Sequence, residues 1–270
     1  MVLRSFFDGA NEADSTKYDV ISLASVFGVL DQWRPFEHEW KSVLKAHNAP
    51  WLHTTDAVSL KGPFSEREGW NKGKRDAFLS DCASVAENHL VHPITLRDPA
   101  GKPGLVPRVI TIPLKDYLRA REANPEVPKD VTVLCATQSV AHIVKQGEII
   151  GIDFHHLVFD QNEPFMGHVL DRQTNRKARK HLESTGFGFD KIVSVTSADM
   201  RRVPALQLAD LFAWCYSHAD TLPHHKWQNR ILSHRKWVDD RFSYQALIKV
   251  IPGVADRVKS WGLPPRRPTR

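Results

Sequence analysis

The feature that most limits how this chain can fold is the run Leu206-Gln207-Leu208-Ala209-Asp210-Leu211-Phe212-Ala213-Trp214, inside a segment 204–216 that opens on Pro204. Pro204 suits the first turn of a helix, where no intrahelical amide bond is lost. Between Leu206 and Tyr216 the only polar side chains are Gln207 and Asp210. A helix that is apolar on nearly all sides is buried. Asp210 is therefore a carboxylate removed from water, which is costly unless a cation or several donors meet it. Gln207 and Asp210, three apart, share one helix face. Two readings stay open: a functional site, or a structural polar pair that holds a neighbouring loop.

The rest of the chain sets the context for that helix. Segments 3–8 and 18–30 read as strands of a hairpin, with a turn-rich stretch between them. Trp33, Phe36, Trp40, Val43 and Leu44 repeat at helical spacing over 31–46, and 72–89 is a second amphipathic segment. A strand is expected at 90–96. The proline-rich stretch 97–130 reads as a variable excursion with one strand at 108–112 and one short helix. From 131 the order is helix (131–145), strand (154–160), polar and basic helix (167–184), short buried strand (191–195) and helix (204–216). Such alternation implies an α/β fold with parallel neighbouring strands and helical crossovers. With 270 residues, the expected organisation is a single domain over 1–261 with an insertion at roughly 31–130. A basic Pro/Arg tail, 262–270, is expected to be mobile.

Two further aspartates keep Asp210 company. Asp8 ends the first strand and Asp160 ends the strand 154–160, before the polar loop Gln161-Asn162-Glu163-Pro164. Each also suits an ordinary turn or helix-capping role. Together with Asp210 they form the three-carboxylate pattern of metal-dependent phosphoryl hydrolysis. Mg²⁺ or Mn²⁺ takes oxygen ligands, usually a few carboxylates with water and phosphate completing the shell. Two such ions about 4 Å apart can activate an attacking water and stabilise a leaving oxygen. No HxxEH, CxxC or zinc-finger spacing points to zinc instead.

In this order the motifs resemble the domain of unknown function 3800 family, within the RNase H-like superfamily. The likeness covers most of the chain: Phe7-Asp8-Gly9-Ala10, a hydrophobic hairpin strand, a Trp-rich helix, Leu52-His53-Thr54-Thr55-Asp56, Gly69-Trp70, Phe159-Asp160 and the Leu-Gln-x-Ala-Asp-Leu helix. The resemblance implies an RNase H-like mixed sheet flanked by helices, with a helical and irregular insertion after the N-terminal hairpin. It further implies Asp8, Asp160 and Asp210 as catalytic and metal-binding residues of a nuclease hydrolysing RNA, DNA or a hybrid. His53 and Asp56 match the family's short His-x-x-Asp segment, as accessory ligand, base or phosphate contact, or as a hydrogen-bonded loop pair. One departure matters: the family follows its first Asp with Glu-Ser, where this chain has Gly9-Ala10. Glu12 or Glu163 would then have to supply that carboxylate. The alternative function is a catalytically inactive RNase H-like subunit that binds nucleic acid or protein.

For substrate contact, Arg172, Arg176 and Lys180 fall at helical spacing and make a basic stripe. A later cluster mixes charge with aromatics and includes Lys226, Trp227, Arg230, His234, Arg235, Lys236, Trp237 and Arg241. Arginines can bind phosphates and tryptophans can stack on unpaired bases, while basic segments are also ordinary solvated faces. The net charge of +6 is compatible with a nucleic-acid partner. His155 and His156 read as packing or hydrogen-bonding residues. The three cysteines, Cys82, Cys135 and Cys215, are far apart in apolar surroundings and read as reduced core residues of a cytoplasmic protein. No segment approaches the ~18 apolar residues of a membrane span, so no membrane partner is expected. A partner protein or homo-oligomer is left undetermined.

Overall fold

The computed structural model describes residues 2–10, 19–92, 103–125, 127–152, 154–161, 163–174, 191–221, 223–234 and 238–248, with the backbone alone at 171–174. Among them a mixed six-stranded sheet has the order β5-β4-β1-β2-β3-β6. Its strands are β1 (Val2–Ala10), β2 (Val20–Gly28), β3 (Val106–Pro113), β4 (Phe154–Asp160), β5 (Ile192–Ala198) and β6 (Asp239–Arg241). The strands β1, β2 and β3 form an antiparallel meander. On the other side of β1, β4 runs parallel to it and β5 parallel to β4. This is the α/β fold with a mixed sheet flanked by helices that the sequence predicts, and the strands bearing Asp8 and Asp160 are adjacent and parallel.

Every residue of β2 is buried, because both faces of the sheet are covered and a strand there has no solvent side. One layer holds α4 (Leu114–Ala123), α5 (Val131–Ile149) and α6 (Pro164–Thr174), which pack on Phe7, Leu23 and Phe159. The opposite layer holds α1 (Leu30–His47), α3 (Lys72–His89), α7 (Pro204–Ser217) and α8 (Lys226–Leu232), which pack on Phe6, Ala24 and Val26. Small Ala24 lets α7 lie close on β1 and β2. The short helix α2 (Thr54–Ser59) sits beside α7. Trp33, Phe36 and Trp40 form the buried stripe of α1, each contributing on the order of 1.5–3 kcal/mol through apolar burial. Side chains cap two helices: Asn71 Oδ1 accepts from Lys74 N at 2.9 Å, and Asp130 Oδ1 from Thr132 N at 2.9 Å, supplying acceptors that the first turn lacks.

Several sequence expectations need correction. The segment read as an insertion contains β3, a full sheet strand paired with β2, so the excursion returns to the core well before residue 130. The expected strand at 90–96 is reduced to a single bridge between Leu90 and Leu105, and 93–96 lies outside the described residues. The strand near 191–195 is buried only at Ile192; β5 is an edge strand whose remaining side chains are half-buried or exposed. The helix expected at 167–184 begins earlier, at Pro164, and 175–184 lies outside the described residues, as does the tail 262–270. His155 and His156 serve packing and hydrogen bonding. His155 is buried beneath Gly147, where an added Cβ would stand 2.4 Å from its Cε1, and the ring of His156 hydrogen-bonds Ser194. Cys82, Cys135 and Cys215 are buried and free. Among the described residues no helix is long and apolar enough to cross a membrane.

Candidate functional site

Side chains alternate along a strand, so Phe6 and Asp8 face one layer while Phe7 and Gly9 face the other. Phe7 stacks on Phe159 of β4 with ring centroids 4.4 Å apart, and these two residues are the last paired positions of the parallel ladder. One step further, Asp8 and Asp160 both project into the layer of α7. They stand at the carboxyl ends of parallel strands, where ligand sites of α/β sheets form.

Asp210 meets them from α7. Its carboxyl lies beside that of Asp8, and both are buried. Asp210 Oδ2 also accepts from Thr54 N at 2.6 Å and from Thr54 Oγ1 at 2.7 Å. Burial is the largest influence on Asp210 and raises its pKa, against the lowering effects of His53, Thr54 and Asp8. Asp8 and Asp210 are each only 6% exposed.

One turn earlier on the same helix face, Gln207 uses its whole amide. Its Oε1 accepts from Trp40 Nε1 at 2.8 Å and from Leu52 N at 3.0 Å, and its Nε2 donates to Met200 O at 2.9 Å. Gln207 and Asp210 thus grip Leu52 and Thr54 on either side of His53, which is held extended. His53 Nδ1 lies 2.8 Å from Asp56 Oδ2. Burial works against the charged imidazolium, yet Asp210, Asp56 and Asp160 together raise the His53 pKa.

Asp160 Oδ1 accepts from Met200 N at 2.9 Å, in the 3-10 turn Met200–Arg202 that links β5 to α7. Burial raises its pKa, opposed by the backbone donors of Met200 and Gln161. Glu163, also buried, accepts from Gly9 N at 3.0 Å and ties the turn after Asp160 to β1. A Cβ at Gly9 would meet Phe165 Cε2 at 2.5 Å and Glu163 Oε1 at 3.0 Å. Position 9 therefore has no room for the glutamate of the resembled pattern, and Glu163 brings a carboxylate to that spot from the turn between β4 and α6.

The hard oxygen donors suit Mg²⁺ or Mn²⁺ by type. As an assembled shell they fall short: among the described residues, no three His, Cys, Asp or Glu side chains form a group that could hold a metal ion. The protein's own donors are spent on Asp210 and Asp160 in the geometry described.

The predicted nucleic-acid contacts divide. Arg172 lies in α6, which packs on α5 and β5 in the layer opposite α7. Arg176, Lys180, Arg235, Lys236 and Trp237 lie outside the described residues, as does Glu12. Arg230 is turned inward: its Nε donates to Glu87 Oε2 at 2.9 Å, its Nη1 to Ser84 Oγ at 2.7 Å, and its Nη2 also reaches Glu87. Trp227 is in the core, beside Trp214 at a centroid distance of 5.6 Å. These two residues fasten α8 and are not free to meet a base or phosphate. Sequence reasoning passed over Thr54 and the Asp199–Arg202 turn; the signal available for the latter was a charged run just ahead of Pro204. No protein-family model matches the chain, no curated protein matches it in sequence, and no solved structure matches it.

Proposed function

We propose that the protein is a metal-dependent nuclease hydrolysing phosphodiester bonds of nucleic acid, with Asp8, Asp160 and Asp210 as the carboxylates that hold Mg²⁺ or Mn²⁺. The observation that carries the reading is the meeting of the buried Asp8 and Asp210 carboxyls beside the parallel strand that ends in Asp160. When bound, the metal would supply positive charge at the phosphate and lower the pKa of water. Thr54 and Gln207 orient the carboxylate helix against the 52–54 segment, and Glu163 keeps the turn after Asp160 docked on β1. His53, facing Asp210 and Asp160, can hold or pass a proton at Nδ1 or Nε2.

The test is Mn²⁺ titration followed by calorimetry, with cleavage of labelled RNA, DNA and hybrid oligonucleotides measured in parallel. Wild-type protein binds Mn²⁺ and cleaves, while Asp210→Asn loses both. A wild-type protein that ignores Mn²⁺ ends the reading. A second reading, an inactive RNase H-like subunit that binds nucleic acid or protein, is favoured by one observation: no three donor side chains are assembled among the described residues. Oligonucleotide binding without Mn²⁺ binding or turnover identifies the nucleic-acid form of that second case.

A further inference from the structure

The turn Met200–Arg202 does more than cap Asp160. Its carbonyl at Met200 is held by Gln207 and its amide at Met200 by Asp160, so both ends of one peptide segment are anchored to the carboxylate site. On that anchored turn stand two exposed arginines. Arg201 is pre-set by Asp199: Nε reaches Oδ1 at 2.8 Å, Nη2 reaches Oδ2 at 2.7 Å, and the backbone amide of Arg201 donates to the same carboxylate at 3.0 Å. The pairing uses the Nε and Nη2 edge of the guanidinium, and the Arg201 side chain is 60% exposed. The Arg202 amide donates to Asp199 O at 2.9 Å. Its side chain makes no hydrogen bond or ion pair among the described residues and lies close enough for its charge to lower the Asp199 pKa.

We propose that Arg201 and Arg202 form the phosphate-binding element of the site, taking the backbone phosphates of a nucleic-acid strand that flank the carboxylates. This rests on the nuclease reading and names where its substrate is gripped. The physical need is plain: Asp8, Asp160 and Asp210 repel a polyanion, and a strand approaches them only where cations offset that charge. The obvious alternative carriers are poorly placed, since α6 belongs to the opposite layer and Arg230 uses all three guanidinium nitrogens on Glu87 and Ser84. Arginine suits the task because its guanidinium carries N–H donors beyond those that meet Asp199, and an Arg201 already oriented by Asp199 loses less freedom on binding a phosphate.

The test uses fluorescently labelled 12-nucleotide single strands, one of RNA and one of DNA, with a methylphosphonate strand as the uncharged control. Binding is read by anisotropy at several salt concentrations, and Mn²⁺ binding by calorimetry on the same samples. Arg201→Ala/Arg202→Ala weakens binding of the charged strands about tenfold at low salt and lowers the salt slope by about 1.4, the share of two released counterions on a single strand. Arg202→Ala alone, which removes a side chain that makes no hydrogen bond or ion pair among the described residues, gives about half of that slope change. Loss for one sugar type only names that strand as the substrate, and equal loss names phosphate alone.

Unchanged affinity and slope in the double variant, with Mn²⁺ still bound, overturn the phosphate element and leave the metal site standing. A charged strand bound no better than the methylphosphonate control overturns it equally. Arginine-dependent binding in a protein that ignores Mn²⁺ keeps the phosphate element and ends the metal reading. Absence of both strand and Mn²⁺ binding ends both.

Discussion

Two stretches of this chain stand out as candidates for function, and they pack in one layer but fold to contrasting roles. Through 204–215 of α7 the polar residues are two among many apolar ones; in the stretch around α8 the polar, charged and aromatic residues are crowded together. The sparse pair, Gln207 and Asp210, became the hub that joins α1, the 52–54 segment and the Met200–Arg202 turn. The crowded stretch instead put Trp227 into the core and tied Arg230 to Glu87. The difference lies in cost. A polar group in a buried helix must be met by partners or it destabilises the fold, so its presence carries information. A charge in a mixed surface segment can pair with whichever neighbour it finds, and its contribution is small either way.

That contrast can be broken most forcefully at Trp227. Trp227→Ala removes a core side chain and should destabilise the protein by roughly 3–5 kcal/mol, measured by urea unfolding. If Trp227 were a base-stacking residue, stability would hardly change and single-strand affinity would fall instead.

A smaller but still large effect is expected at the hub. Gln207→Leu keeps the volume of the helix face but strips partners from Trp40 Nε1, Leu52 N and Met200 O. Leaving buried polar groups unmet costs about 1–3 kcal/mol each, so a loss of about 3 kcal/mol in equilibrium unfolding is expected. A loss near zero would mean that water replaces the amide and that Gln207 is not a structural hub.

The finest distinction concerns Asp210, and it is a matter of pH. Burial raises the pKa of Asp210 and of Asp160 above the usual carboxylate value. A carboxyl that holds its proton more tightly when folded favours the folded state only while protonated. Metal-free stability therefore falls as pH rises from about 4 through the folded pKa values. His53 acts in the same direction: its raised pKa stabilises the fold below its unfolded value, and that contribution is lost as pH climbs through the folded value. Asp210→Asn retains an acceptor for Thr54, offers a donor to Asp8, and removes one titration together with much of the charge that supports His53⁺. Its metal-free melting temperature should match or exceed the wild type at neutral pH and vary less with pH. A marked drop at neutral pH would make the Asp210 carboxylate itself structural.

The legible parts of the fold were those where local pattern and tertiary environment agree. The helix Lys72–His89 and the strand Phe154–Asp160 match the expected bounds because their apolar positions and flanking turns leave little choice. Strand β3 was half hidden within a proline-rich stretch, since Pro107 and Pro113 discourage a strand reading, yet both belong to β3 and are paired with β2. The exposure of β5 was not legible at all, because whether a strand lies at the edge depends on which strands pair, not on its composition. The partnership of Asp8 with Asp210 bridges 202 residues of sequence and needed the strand order to become visible.

What the sequence by itself determined is the identity of the costly groups: a carboxylate and an amide inside an apolar helix, and two aspartates at strand ends. Desolvation is a local penalty, and it can be read wherever polarity interrupts burial. Only the tertiary structure decided how those penalties were met. Packing placed Thr54 on Asp210, Met200 on Asp160, Glu163 on the Gly9 amide and Glu87 on Arg230. Partners of this kind come from segments far apart in the chain, and the choice among many possible donors is made by the way the layers close on the sheet.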